Sequence, residues 1–148
     1  MKYEPYTELK INPDFSVYEF LSTGKKGKIL KRVAFSKTET NGVYNLSFGD
    51  VDENDELDDF SITDNGDRNK VLATVADIVG AYSKRFPDRL IYFEGSTERR
   101  TRLYRMAVGL NLEELSSIYE IWAQKGDDLF PFTKNMKINA FLIKRKKT

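Results

Sequence analysis

The sequence predicts an α+β fold: a mainly antiparallel sheet with two to three helices packed mainly on one face. The sheet opens with an N-terminal four-strand meander and gains later strands. Three observations carry this. Between residues 16 and 63, short apolar segments of strand period are separated only by turn signals. From residue 71 the apolar period becomes helical. Beyond Pro87, short apolar runs bounded by charge or glycine alternate with a second helical region.

The elements follow in order. "SVYEFL" (16–21) and "KILKRVAF" (28–35) read as strands joined through "STGKKG", a turn-rich hairpin connection. Asn41-Gly42 turns the chain into "VYNLSFG", where Tyr44, Leu46 and Phe48 alternate with Asn45 and Ser47. "LDDFSIT" (57–63) completes the meander, with Phe60 and Ile62 on one face. Val71, Leu72, Val75, Ile78, Val79, Tyr82 and Phe86 then form a helical stripe, with Asp64 or Asn65 as its cap. "RLIYF" (89–93) is a buried strand, and a helix runs from about Thr97 to Val108. Asn111 starts a third helix, with Glu114 placed for a capping box and Leu115, Ile118, Tyr119 and Trp122 buried. "INAFLIK" (138–144) is a last strand, and a short basic tail occupies about 144–148.

The totals bound the chemistry. A chain of 148 residues with 40% hydrophobic and 32% charged residues suits a single globular domain, 1–148. A net charge of +1 gives no global field toward nucleic acid or membrane, so any such attraction must be local. The absence of cysteine removes disulfides, thiolate catalysis and cysteine-held metals. The absence of histidine removes imidazole bases, Ser-His-Asp triads and the commonest metal ligand. No metal or cofactor is expected, and the balance leans away from an enzyme. The polar N-terminus and the lack of a run of ~20 apolar residues predict a cytoplasmic protein without a membrane segment.

One segment breaks a local rule. "FEGSTERRTRLYRM" (93–106) places four arginines on a helix whose first turn is already positive through its free N–H groups. Taking residue 98 as zero and about 100° per residue, Leu103, Met106, Ala107 and Leu110 cluster between about 80° and 180° and mark the buried stripe. Arg102 and Arg105 then face solvent with Glu98, and Arg100 lies at the edge. A solvated face with a Glu98–Arg102 i,i+4 pair is the plain reading. The functional reading is an anion site. Gly95, Ser96 and Thr97 offer close backbone approach, N–H donors and hydroxyls, and Arg100 and Arg102 hold a phosphate. A third option is an intramolecular anion, because "DVDENDELDD" (50–59) carries seven carboxylates and no base.

Other motifs are weaker. The acidic loop approaches an EF-hand but lacks the glycine at position 6 and the final glutamate, so a hairpin loop is the expectation. Asp88 and Glu94 lie at opposite ends of one strand, about 20 Å apart at ~3.3 Å per residue, too far to share a metal. "GKKGKILKR" (24–32) supplies Lys25, Lys26 and Lys28 as auxiliary basic residues, though a hairpin whose lysines discourage edge pairing is the favoured reading there.

Several segments, among them "YEFLSTGKKGKILKRVAF", "YNLSFGD", "NGDRNKVLATVA" and "GSTERRTRLYRMAV", resemble a family of small bacterial proteins of unknown function. The resemblance covers about Tyr18 to Val108. It implies a "GSTxxRTRLYR" core in which Glu98 and Arg99 occupy variable positions, and it implies no activity. The leading expectation is a non-enzymatic protein that binds a phosphate-bearing ligand or nucleic acid. The alternatives are a protein-interaction module, as in a small bacterial regulatory pair, and a metal-dependent hydrolase using Asp58, Asp59 or Glu94.

Overall fold

The structure is a computed structural model that describes residues 3–58, 63–95, 97–133, 138 and 140–147, without the side chain of Leu110. Among these residues the chain forms β1 (Lys10–Ile11), β2 (Val17–Gly24), β3 (Gly27–Lys37), β4 (Val43–Val51), β5 (Leu57–Asp58) and α1 (Arg68–Arg85). Then come β6 (Leu90–Phe93), α2 (Glu98–Leu110), α3 (Leu112–Ile118), β7 (Tyr119–Lys125), β8 (Asp128–Pro131) and β9 (Ala140–Arg145). The strand order is β1-β2-β3-β4-β6-β9-β7-β8, with β5 paired to β4. The class is α+β with a mostly antiparallel open sheet that starts as a meander, as the strand-period segments predicted. Phe60 and Ile62, expected on the fourth strand, lie outside the described residues.

The chain divides into two compact units, Met1–Ser36 with Leu46–Tyr82, and Lys37–Asn45 with Ser83–Thr148. In the first, β2 and β3 pair antiparallel from Val17↔Ala34 to Gly24↔Gly27. Alternation buries Tyr18 and Phe20 of β2, Val33 and Phe35 of β3, and Leu46 and Phe48 of β4. The α1 stripe supplies Val71, Ile78, Val79 and Tyr82, and Tyr82 stacks on Phe35.

A polar knot fixes the β2–β3 turn. Asn65, 1% exposed, donates from Nδ2 to the Gly27 carbonyl (2.8 Å) and accepts the Lys26 N–H at Oδ1 (2.6 Å). Asp67 accepts from Ser22 Oγ (2.6 Å) and from the Tyr6 hydroxyl. Asn65 is therefore a turn clamp and does not cap α1, which begins three residues later at Arg68. The Asp64 carboxylate likewise closes its own turn, accepting the Gly66 N–H (2.9 Å). Asn65→Ala removes the partners of two backbone groups at once. It is expected to lower stability by about 2 kcal/mol, read as a shifted urea midpoint at unchanged slope. A loss below about 0.5 kcal/mol would contradict the clamp.

The acidic stretch is a hairpin between β4 and β5, with Asp50 opposite Asp58. Asp52 Oδ1 accepts the N–H groups of Asn54 (2.8 Å) and Glu56 (3.0 Å), Asp55 pairs with Arg32 (2.8 Å), and Asp50 pairs with Lys31 (2.5 Å). These three carboxylates are thus engaged by their own loop and by β3. Lys31 is fully buried, so it belongs to the core-facing row of Val33 and Phe35 and adds nothing to the exposed basic turn.

In the second unit the start of β4 runs parallel to β6, Val43↔Leu90 to Asn45↔Tyr92. The chain between them carries β5 and α1, the long connection that parallel pairing requires. β6, β9, β7 and β8 continue antiparallel. Here one expectation is corrected. The third helix ends at Ile118, and Tyr119–Lys125 is a strand, not a continuation through Trp122. Tyr119 and Ala123 alternate with exposed or half-buried neighbours, and six residue pairs join β7 to β9. Those ladder bonds outweigh a local helical pattern. The capping box at Asn111 is also absent: its side chain donates to the Ala107 carbonyl (2.9 Å) and makes no cap bond to α3. The last strand, β9, runs through Lys144 to Arg145.

Candidate functional site: a basic cleft beside helix α2

The site is built by the step from β6 into α2. Phe93, the last residue of β6, stacks on Phe141 of β9 (centroids 5.0 Å apart) and meets Tyr104 of α2 edge-on (5.9 Å). Tyr104 thereby anchors the helix on the sheet. The chain between them must pass very close to the helix start. A Cβ on Gly95 would lie 2.1 Å from the Thr101 nitrogen and 2.5 Å from the Arg100 carbonyl carbon. Only glycine fits.

The helix start is locally satisfied. Thr97 caps α2 by accepting the Arg100 N–H at its hydroxyl (3.2 Å). The Thr101 hydroxyl accepts the Gly95 N–H (3.1 Å) and faces the Gly95 and Thr97 carbonyls (3.2 and 3.1 Å). The close approach that Gly95 allows is therefore to the helix itself. Ser96 lies outside the described residues.

The buried face of α2 differs from the one the apolar residues marked. Arg100 is 8% exposed and Tyr104 7%, whereas Met106, expected inside, is 52% exposed. On the same helical wheel the buried direction lies near 200–240°, about a quarter turn from the Leu103–Met106 side. The aromatic anchor and the aliphatic stem of an arginine displaced methionine from the interface. Arg100 Nη2 donates to the Tyr104 hydroxyl (3.2 Å). Arg100, read from the sequence as an anion contact, therefore packs with Tyr104 and does not line the cleft described next.

The rotation turns other arginines outward. Arg99, Arg102 and Arg105 of α2, with Lys125 at the end of β7, line an open cleft of about 1020 Å³. Glu94 and Glu98 are its acidic members, so the cations outnumber the carboxylates by two. Gly95, Thr97 and Thr101 form the wall nearest the helix start. Among the described residues, Arg99, Arg102 and Lys125 make no ion pair, and the expected Glu98–Arg102 bridge does not form. Beside the cleft, burial and then the charge and hydrogen bond of Glu94 push the Tyr92 phenol above its usual pKa.

Of the residues singled out in the sequence, Gly95, Thr97 and Arg102 come together at this cleft. Arg99, assigned to a variable position, and Arg105, assigned to the solvated face, join them. Lys25, Lys26 and Lys28 are exposed at the β2–β3 turn of the other unit. Lys125 carried no sequence signal, because it was read beyond a helix and not at a strand end. Among the described residues no group of three acidic side chains could hold a metal, and no helix is long and apolar enough to cross a membrane.

Fold and cleft together define a class: an α+β protein with a basic cleft where a strand turns into a helix. More specifically, the chain belongs to a family of unknown function, DUF6934, whose pattern matches residues 2–146. Among curated proteins and among solved structures, nothing matches it.

Proposed function

We propose that the cleft binds a phosphate-bearing ligand, and that binding, not catalysis, is the role of this protein. The observation that carries the reading is the convergence of three arginines and a lysine on one concavity with only two acids. One of the arginines, Arg99, stands in the first turn of α2, where the backbone's own positive end disfavours a cation by roughly 0.3–1 kcal/mol. Sequences keep such local conflicts where a function compensates them. Guanidinium groups match phosphate oxygens in a two-pronged geometry, and a bound anion would turn the repulsion among these cations into attraction.

Thermal unfolding with pyrophosphate tests this. A ligand at about ten times its Kd stabilises the folded state by about 1.4 kcal/mol, a shift of a few degrees for a chain of this size. That shift should shrink as sodium chloride rises and vanish in Arg99→Ala/Arg102→Ala. Both side chains are exposed, so the double variant should keep its own Tm within a degree or two. An unchanged pyrophosphate shift in the double variant would rule out this cleft.

A further inference from the structure

The strand register places an exposed aromatic on the sheet face that carries Lys125. Phe93, Phe141, Ala123 and Phe130 are successive partners across β6, β9, β7 and β8, so they stand on one face of the sheet. The first is covered by Tyr104, and Phe141 and Ala123 are completely buried. The last, Phe130, is 41% exposed on the edge strand. Lys125 lies two residues beyond Ala123 on β7 and therefore shares this face. It is the diagonal neighbour of Phe130, about 7–8 Å away. An exposed ring, not itself part of the cleft lining, thus stands one strand beyond Lys125 on the same face.

The arginines have an extent as well as a charge. Residues 99, 102 and 105 follow an i,i+3 row, and at about 1.5 Å per residue it spans about 9 Å of helix. Each strand of a duplex carries one charge per about 3.4 Å of helix axis, and an unstacked single strand spaces its charges more widely. The row therefore exceeds a single phosphate and reaches at most two to three consecutive ones. A base can stack on Phe130 only if its face is free. In a duplex the neighbouring base pairs occupy that face, and in a single strand they need not.

We propose that the cleft takes single-stranded nucleic acid, with Arg99, Arg102, Arg105 and Lys125 along the phosphates and Phe130 stacked on a base. This rests on the anion reading above and narrows its ligand class. Binding is read mainly through charge and one stacking surface, so the site is tolerant of sequence.

The test is fluorescence anisotropy with a labelled twelve-nucleotide oligothymidylate, a duplex of equal length and pyrophosphate as competitor. Three to four phosphate contacts predict a slope of log K against log salt of about −2 to −3 for the single strand. Phe130→Ala should weaken it roughly 5- to 150-fold with little change in that slope, and Phe130→Tyr should retain most of the affinity. Arg99→Ala should instead flatten the slope by about 0.7. Equal affinity for duplex and single strand, or a Phe130→Ala variant that binds as the parent does, overturns the proposal. If pyrophosphate still stabilises the protein in that case, the anion reading survives alone. If neither binds, both fall.

Discussion

Lys31→Ala is expected to destabilise the protein by about 3–5 kcal/mol, a large share of the 5–15 kcal/mol that holds a typical domain together. Lys31 lies in β3 opposite Phe20 and is completely buried. Its ammonium donates to Asp50 Oδ1 (2.5 Å) and to the Thr63 carbonyl (2.9 Å), while Asp50 Oδ2 accepts the Thr63 N–H (2.8 Å). One ion pair therefore satisfies both backbone groups of Thr63, five residues before α1. Truncation to alanine leaves a carboxylate in the interior with no counter-ion and a carbonyl with no donor, and it opens a cavity beside Phe20. Urea unfolding measures the loss directly. The control is Lys31→Met/Asp50→Leu, which removes both charges and keeps the volume. It should recover more than half of the loss, because the penalty lies mainly in the orphaned charge. A single variant that costs under 1 kcal/mol would mean that water reaches Asp50.

That buried pair also marks what a sequence reader can and cannot see. Strand period placed β2, β3 and β4 correctly, since Tyr18, Phe20, Val33, Phe35, Leu46 and Phe48 all fall on the buried side. The same parity passes through Lys31, and that was the available signal: a lysine in register with Val33 and Phe35 is an inward cation that needs an acid. Charge type hid it among the exposed lysines of the turn. The α1 stripe was equally legible, because its period persists over 18 residues and no competing pattern exists.

The second unit was less legible for reasons that lie outside any local window. Residues 115, 118, 119 and 122 fit a helix, and 119, 121 and 123 fit a strand. The choice is made by β9, about twenty residues away, whose ladder with β7 no local period encodes. The edge strand β8 was missed for the same reason, and with it Phe130. On α2 the segment was right and the face was wrong. Hydrophobicity ranked Met106 above Tyr104, yet the ring that meets Phe93 edge-on decides the rotation. The Arg100–Tyr104 spacing of four residues is the feature that could have shown it. Of the residues from which the sequence builds an anion site, Gly95, Thr97 and Arg102 line the cleft and Arg100 does not.

The geometry that aims those arginines depends on Gly95, and Gly95→Ala is expected to lower stability by about 3 kcal/mol, the upper end for overpacking. The clashing partners are the Thr101 nitrogen, the Arg100 carbonyl carbon and the Arg100 Cβ at 2.8 Å. Two are backbone atoms inside a helix, so no side-chain rotation relieves them. Either the segment after β6 or the first turn of α2 must shift. Both routes disturb the exchange between Gly95 and the Thr101 hydroxyl, and both pull Tyr104 from Phe93. The first two turns carry Arg99 and Arg102, so the variant should also lose its response to pyrophosphate at temperatures where it remains folded. Thr101→Val separates the two effects. It removes the hydroxyl, keeps the shape, and should cost only about 1 kcal/mol with the cleft intact. A Gly95→Ala protein that melts within two degrees of the parent and still responds to pyrophosphate would show that the close approach of strand and helix does not position the site.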